Sequence, residues 1–153
     1  LLLSEMMQYF LYDWDQEEVD VKEELVFLEG YFELEQKKFP HAKIVMKVAE
    51  DIPELKIPPL LFLPLVENSF KHGKHKLEND AGVFAELSFK DGQLIFRIEN
   101  EMLPAIPIAL KNKRGGIGLS NIKKRLELYY PNRNRLLFTE EDHIFVAELS
   151  LKP

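Results

Sequence analysis

The sequence predicts a two-layer α/β (α+β) sandwich, and two observations carry that reading. Alternating apolar and polar residues mark strands at Lys43 to Ala49, Val83 to Phe89, Leu94 to Glu99, Leu136 to Thr139 and Ile144 to Leu151. Helical spacing marks the segments before and between them. The order is helix, helix, strand, helix, strand, strand, loop, helix, strand, strand. Strands joined mostly by hairpins, with helices free to gather on one face, suit a sandwich and not a doubly wound sheet.

Each element has a local cause. Residues 1 to 13 place Leu2, Leu3, Met6, Met7, Phe10 and Leu11 on one helical stripe, which the acidic stretch Asp13 to Asp20 breaks. A second helix runs from about Val21 to Phe39, with Leu25, Leu28, Phe32, Glu35 and Phe39 along one face. Asp20 is its predicted N-cap, and Glu23 completes a capping box. Asp51, Pro53 and Pro58-Pro59 punctuate the approach to a third helix. Pro59 suits a first helical turn; Pro64 either kinks the helix or lies nearer its true start. The polar segment Lys74 to Ala81 turns at Asn79-Asp80. Lys90-Asp91-Gly92-Gln93 is a hairpin turn. Asn100 to Arg114 reads as a loop, Leu119 to Tyr130 as a helix stopped by Pro131, and Glu140 to His143 as the last turn.

Composition excludes several function classes. A chain of 153 residues suffices for one ordinary domain, perhaps with a helical appendage, and 46% hydrophobic residues suffice for a packed core. Twenty basic against 26 acidic residues, a net charge of −6, argue against a nucleic-acid surface and leave no polybasic membrane patch. The absence of cysteine excludes disulfides, zinc thiolate sites and thiol nucleophiles. The longest apolar run, Ile57 to Val66, is too short to span a bilayer and contains three prolines. The start at leucine suggests a fragment of a longer protein, anchored in a membrane elsewhere.

Chemistry concentrates in two stretches. The first, IPPLLFLPLVENSFKHG from Ile57 to Gly73, begins as core and ends in Glu67, Asn68, Lys71 and His72. At 3.6 residues per turn Asn68 and His72 stack on one side with Lys71 beside them, and Glu67 lies about 100° round. This suits a site where a metal and a charged phosphate meet a core helix. It equally suits a core helix whose cationic end complements its dipole and stops at a glycine. The second stretch, RGGIGLSNIKKRL from Arg114, sets glycines before a helix, where backbone amides can cradle phosphate oxygens. It matches neither GxxxxGK[ST] nor GxGxxG, and taken by itself the stretch is better read as a flexible glycine entry turn with Ser120 or Asn121 as cap. Lys124 and Arg125 are read as solvated or paired with Glu127.

Together, the ENxxKHG helix, the strand ending Glu99-Asn100 and the GGIGLxNxxxRL segment resemble the N, G1 and G2 boxes of GHKL ATPases. The match is nearest to the catalytic domain of LytS/YehU-type sensor histidine kinases, and it extends to LSEMMQYFLY and LVFLEGYFELEQKKF near the start. The resemblance implies a Bergerat-type fold, with a mixed, mostly antiparallel sheet and helices on one face. It divides the chain into residues 1–19, the end of a dimerisation region, and 20–153, the ATP-binding domain. It implies Asn68 as the Mg²⁺ ligand, Lys71 and His72 near the phosphates, and Glu67 as a catalytic residue that orients water or polarises the acceptor imidazole. Gly116, Ile117, Gly118, Leu119 and Asn121 would hold ATP, with Asn100 to Arg114 as a lid.

Two departures stand out. The family's G1 box has an aspartate and two glycines; here Asn100 replaces the aspartate and the glycines are missing. The family's acceptor histidine, in a context like NPHFLFN, is absent: His41 lacks that context, and His75 and His143 are expected in solvent. The implied function is therefore a kinase catalytic domain that transfers the ATP γ-phosphoryl to a histidine on an upstream helix. A degenerate, non-catalytic module acting through dimerisation or partner binding is the alternative. The implied partners are a second copy in the full-length protein and a LytTR-type response regulator, with no nucleic acid and no direct membrane contact. The implied location is the cytoplasmic side of a bacterial inner-membrane sensor.

Overall fold

The computed structural model describes residues 17–78, 80–102 and 117–153. The helix expected over residues 1–13, Asn79 of the expected turn, and the stretch 103–116 lie outside the described residues. In chain order the elements are β1 (Val19–Asp20), α1 (Val21–Lys38), β2 (Lys43–Val48), β3 (Lys56–Ile57), α2 (Leu63–His72), a 3-10 turn (Lys74–Lys76), β4 (Gly82–Lys90), β5 (Gln93–Glu101), α3 (Ile117–Tyr129), β6 (Asn134–Glu141) and β7 (Ile144–Leu151).

The main sheet has five strands in the order β2-β4-β5-β7-β6. Only the β2–β4 pair is parallel; the other three pairs are antiparallel. The mixed, mostly antiparallel sandwich is thus present. Its inner face follows the strand alternation, with Ile44, Val83, Ala85, Leu87, Leu94, Phe96, Ile98, Ala147, Leu149 and Leu151 all buried. The opposite face carries Lys47, Glu86, Arg97 and Glu148 directly across four strands, alternating in sign as suits a solvated surface.

Both hairpins are tight. Asp91 and Gly92 take φ of 52° and 74°, the two positive values a type I′ turn requires. The second turn is shorter than expected: pairing continues to Glu141↔Ile144, leaving only Asp142 and His143 at φ 50° and 64°. Asp and His tolerate that region better than most side chains, so no glycine is needed.

Helix α1 begins where Asp20 was predicted to cap it, but the Asp20 side chain makes no capping hydrogen bond. Asp20 is held instead by its backbone in a two-residue pairing with Lys56, beside Val19↔Ile57. Glu23 and Glu24 in the first turn and Lys37 and Lys38 in the last complement the helix dipole. Leu25, Leu28, Phe32 and Glu35 are buried as predicted.

Helix α2 resolves the two options for Pro64. The helix starts at Leu63, so Pro64 falls in the first turn, where its missing N–H costs nothing. Pro58 to Phe62 form a buried, non-helical approach in which Leu60 holds φ 57°. Phe62 then stacks on Phe96 of β5, with ring centroids 4.7 Å apart and planes 22° from parallel, fastening the start of α2 to the middle of the sheet.

Candidate functional site

The polar half of α2 divides into two pairs. Glu67 and Lys71, both exposed, line a cleft of about 330 Å³ between α1 and α2, together with Tyr31, Glu35 and Lys38. Burial first, and then the carboxylates of Glu35 and Glu67, push the Tyr31 hydroxyl up to about 12. Tyr31 therefore stays a neutral donor near Glu67 across the physiological range. Asn68 and His72 are half-buried and stand one turn apart, outside that cleft's lining.

The helix ends at Gly73, but not in the left-handed cap that glycine often supplies: its φ of −71° and ψ of 141° are extended. The glycine is needed for space. A Cβ there would sit 2.3 Å from His75 Nδ1 and 2.9 Å from the Ser69 carbonyl. Its extended backbone instead bridges to Met102, just past the end of β5.

His75, expected in solvent, is only 3% exposed. Its ring meets Phe39 at 5.0 Å and Phe70 at 5.5 Å, edge to face in both cases. Burial, followed by the nearby Lys76 charge, lowers its pKa below the ordinary 6.5; Glu35 works in the other direction. The unfolded chain therefore binds a proton on His75 before the folded chain does. Stability is fully present above pH 6.5 and is lost as pH falls through the depressed folded value. Thermal unfolding of wild type and His75→Phe from pH 7.5 to 5 should show the wild type losing stability faster in that window. Parallel curves would contradict it.

Asn100 closes the inward-facing row Leu94, Phe96, Ile98 of β5 and is 1% exposed. Its Nδ2 donates to the Glu101 carbonyl at 3.2 Å, which fixes the amide's orientation because a carbonyl only accepts. Its Oδ1 is buried with no hydrogen-bond partner among the described residues. An unmet buried acceptor costs about 1–3 kcal/mol, so a donor from beyond the described residues would be stabilising at this position. Asn100 and Glu101 belong to β5, so the segment expected as a loop begins later. Residues 103 to 114 of the expected lid lie outside the described residues.

Among the described residues helix α3 runs from Ile117, so Ile117 and Gly118 are helical as well as the predicted Leu119. Asn121 is exposed and Leu119 half-buried, whereas Gly116 lies outside the described residues. Ile122 and Leu126 are buried against the core.

Arg125 departs from the sequence reading. It donates to the carbonyls of Pro59 at 2.8 Å and Leu60 at 3.3 Å, not to Glu127. Glu24 was not singled out at all, yet it is fully buried and its Oε2 accepts from the Leu60 amide at 3.0 Å. The available signal was position: Arg125 sits beside Leu126 on the flank of the Ile122–Leu126 stripe, within reach of a neighbouring backbone. The α1-facing contributors Tyr31, Glu35 and Lys38 carried no motif signal.

No family model matches the chain. The chain is 28% identical over 143 residues to the sensor histidine kinase YpdA of Escherichia coli, covering 84% of this chain and 24% of that protein. It is 30% identical over 137 residues to the sensor protein LytS of Oceanobacillus iheyensis, covering 81% and 23%. The chain thus spans about a quarter of the length of the relatives it matches. Among solved structures, the catalytic domain of the histidine kinase ThkA superposes with a TM-score of 0.65 at 14% identity, covering 89% of this chain and 97% of that one. The histidine kinase domain of the blue-light activated kinase of Erythrobacter litoralis EL346 gives 0.64 at 16% identity, covering 99% and 79%. No described helix is long and apolar enough to cross a membrane. The chain is a relative of the LytS/YpdA sensor histidine kinases, built on the fold of histidine kinase catalytic domains.

Proposed function

We propose that this chain binds Mg-ATP at the edge formed by the C-terminal half of α2, the end of β5 and the start of α3, and supplies the catalytic half of a protein histidine kinase. The observation that carries it is the buried Asn100 Oδ1, without a partner among the described residues, an acceptor suited to the amino group of adenine. It lies beside the Gly73–Met102 bridge, which ties the end of α2 to the end of β5. The amide lacks the charge of an aspartate but keeps the acceptor.

The phosphates extend from there toward the first turn of α3, where the amides of Ile117, Gly118 and Leu119 and the helix dipole favour negative charge. Gly116 and Asn121 flank that turn, and Lys71 and His72 supply donors from α2. Among the described residues no group of three or more His, Asp or Glu side chains could cage a metal. The donor set nevertheless fits Mg²⁺, which keeps waters and phosphate oxygens and needs few protein ligands; Asn68 offers one hard oxygen. When bound, the ion neutralises charge on the transferring phosphoryl group. Glu67, in the cleft between α1 and α2, orients or polarises the incoming imidazole.

The acceptor is a histidine on a helix preceding residues 1–19, which form the end of the dimerisation region; residues 20–153 are the catalytic domain. The whole protein acts as a homodimer, with a response regulator of LytTR type as the next recipient, from the cytoplasmic side of the bacterial inner membrane. A longer chain that includes the upstream helix should form acid-labile, base-stable phosphohistidine from ATP. A chain that binds ATP but yields no such label would favour the non-catalytic module.

A further inference from the structure

Three segments far apart in sequence meet at one residue, Leu60, and at the Pro59–Leu60 peptide before it. The Leu60 N–H donates to Glu24 Oε2 of α1 at 3.0 Å, and the Leu60 carbonyl accepts from Arg125 Nη1 of α3 at 3.3 Å. Arg125 Nη2 also reaches the Pro59 carbonyl at 2.8 Å, so the planar guanidinium forks across two consecutive carbonyls. Leu60 is 6% exposed, and its φ of 57° is one that a leucine seldom adopts unless held. A carboxylate and a guanidinium thus face each other through a single polarised peptide, three residues before α2 begins. The sequence reading left Arg125 solvated or paired with Glu127, and the nucleotide contacts proposed above do not use it.

We propose that Glu24, Leu60 and Arg125 form a clasp that sets the start of α2 against α3, making Arg125 a positioning residue for the phosphate half of the nucleotide site. Asn68 lies about one and a half turns into α2, and the phosphate-facing amides lie about two turns before Arg125 along α3. A change in the spacing of these helices therefore moves the metal ligand relative to the phosphate cradle. The clasp leaves Asn100 untouched, because Asn100 is fixed by the β5 register. Through Glu24 it also ties this spacing to α1, the helix leading back toward the start of the chain. The inference rests on the nucleotide reading above.

Arg125→Met removes the fork while keeping an apolar stem, and Arg125→Lys keeps a charge that can serve the carbonyls only as a point donor. Mg-ATP affinity, measured by calorimetry well below the unfolding temperature of each variant, should fall about tenfold in Arg125→Met and less in Arg125→Lys. Adenosine affinity, followed by chemical-shift titration, should stay unchanged, since a loosened fold would weaken both ligands alike. Equal Mg-ATP affinity in wild type and Arg125→Met, or parallel loss of adenosine, overturns the clasp alone. Failure of the wild type to bind Mg-ATP overturns the clasp and the nucleotide reading together. If Arg125→Met does not fold, the same comparison is decided on Arg125→Lys.

Discussion

Asn68→Ala is expected to weaken Mg-ATP binding by more than the roughly 10–100-fold that follows loss of a mere supporting residue around a metal. The side chain is half-buried and does not line the Glu67–Lys71 cleft. Its removal opens no core cavity, so stability should change by less than about 1 kcal/mol. In the absence of magnesium the difference between wild type and variant should shrink, because the amide then loses its main partner. Calorimetric titration with and without the ion checks both halves. Equal affinities in the presence of magnesium would remove Asn68 from the metal site.

Phe96→Ala is expected to be the most destabilising single change considered. Phe96 and Phe62 are both fully buried and stacked, joining the sheet to the approach of α2. Truncating a buried phenylalanine costs about 3–5 kcal/mol, and the lost ring pair is part of that. Against a total of about 5–15 kcal/mol for a domain, this brings the variant close to unfolding. Urea unfolding should show a much lower midpoint at an unchanged slope. A loss below about 1 kcal/mol would mean that α2 is not anchored through this stack.

What could be read in advance follows from how local its cause is. The β4–β5 hairpin was legible because Asp91-Gly92 dictates the turn and the turn dictates the register. The helix start at Leu63 was narrowed to two options by Pro64 alone. The paired strands Val19–Asp20 and Lys56–Ile57 were not legible, since two residues carry no periodicity. The parallel β2–β4 pairing likewise depends on packing between segments that a polar stretch and α2 separate.

The site shows the same division. Helical spacing identified Asn68 and His72 as a pair on one side of α2. Resemblance set Asn100 at the position of the G1 aspartate, without revealing that it ends an inward-facing row, which needs the register with Val83 and Phe145. His75 looked like a solvated residue of a polar segment. Its burial arises from two aromatic edges contributed by α1 and α2, with Gly73 leaving room for the ring. Arg125 and Glu24 were hidden for a related reason. Their partners are backbone groups of Pro59 and Leu60, and a backbone partner leaves no residue type to match.

Mg-ATP binding to the edge where α2, β5 and α3 converge is tested most directly by titrating this chain with Mg-ATP while following the side-chain amide of Asn100 by NMR. A saturable, single-site response in which the Asn100 amide resonances shift, and which adenosine alone reproduces at that residue, is the predicted result. Saturable binding without movement of the Asn100 amide would contradict the assigned adenine acceptor. The absence of any response up to millimolar nucleotide would contradict the account as a whole.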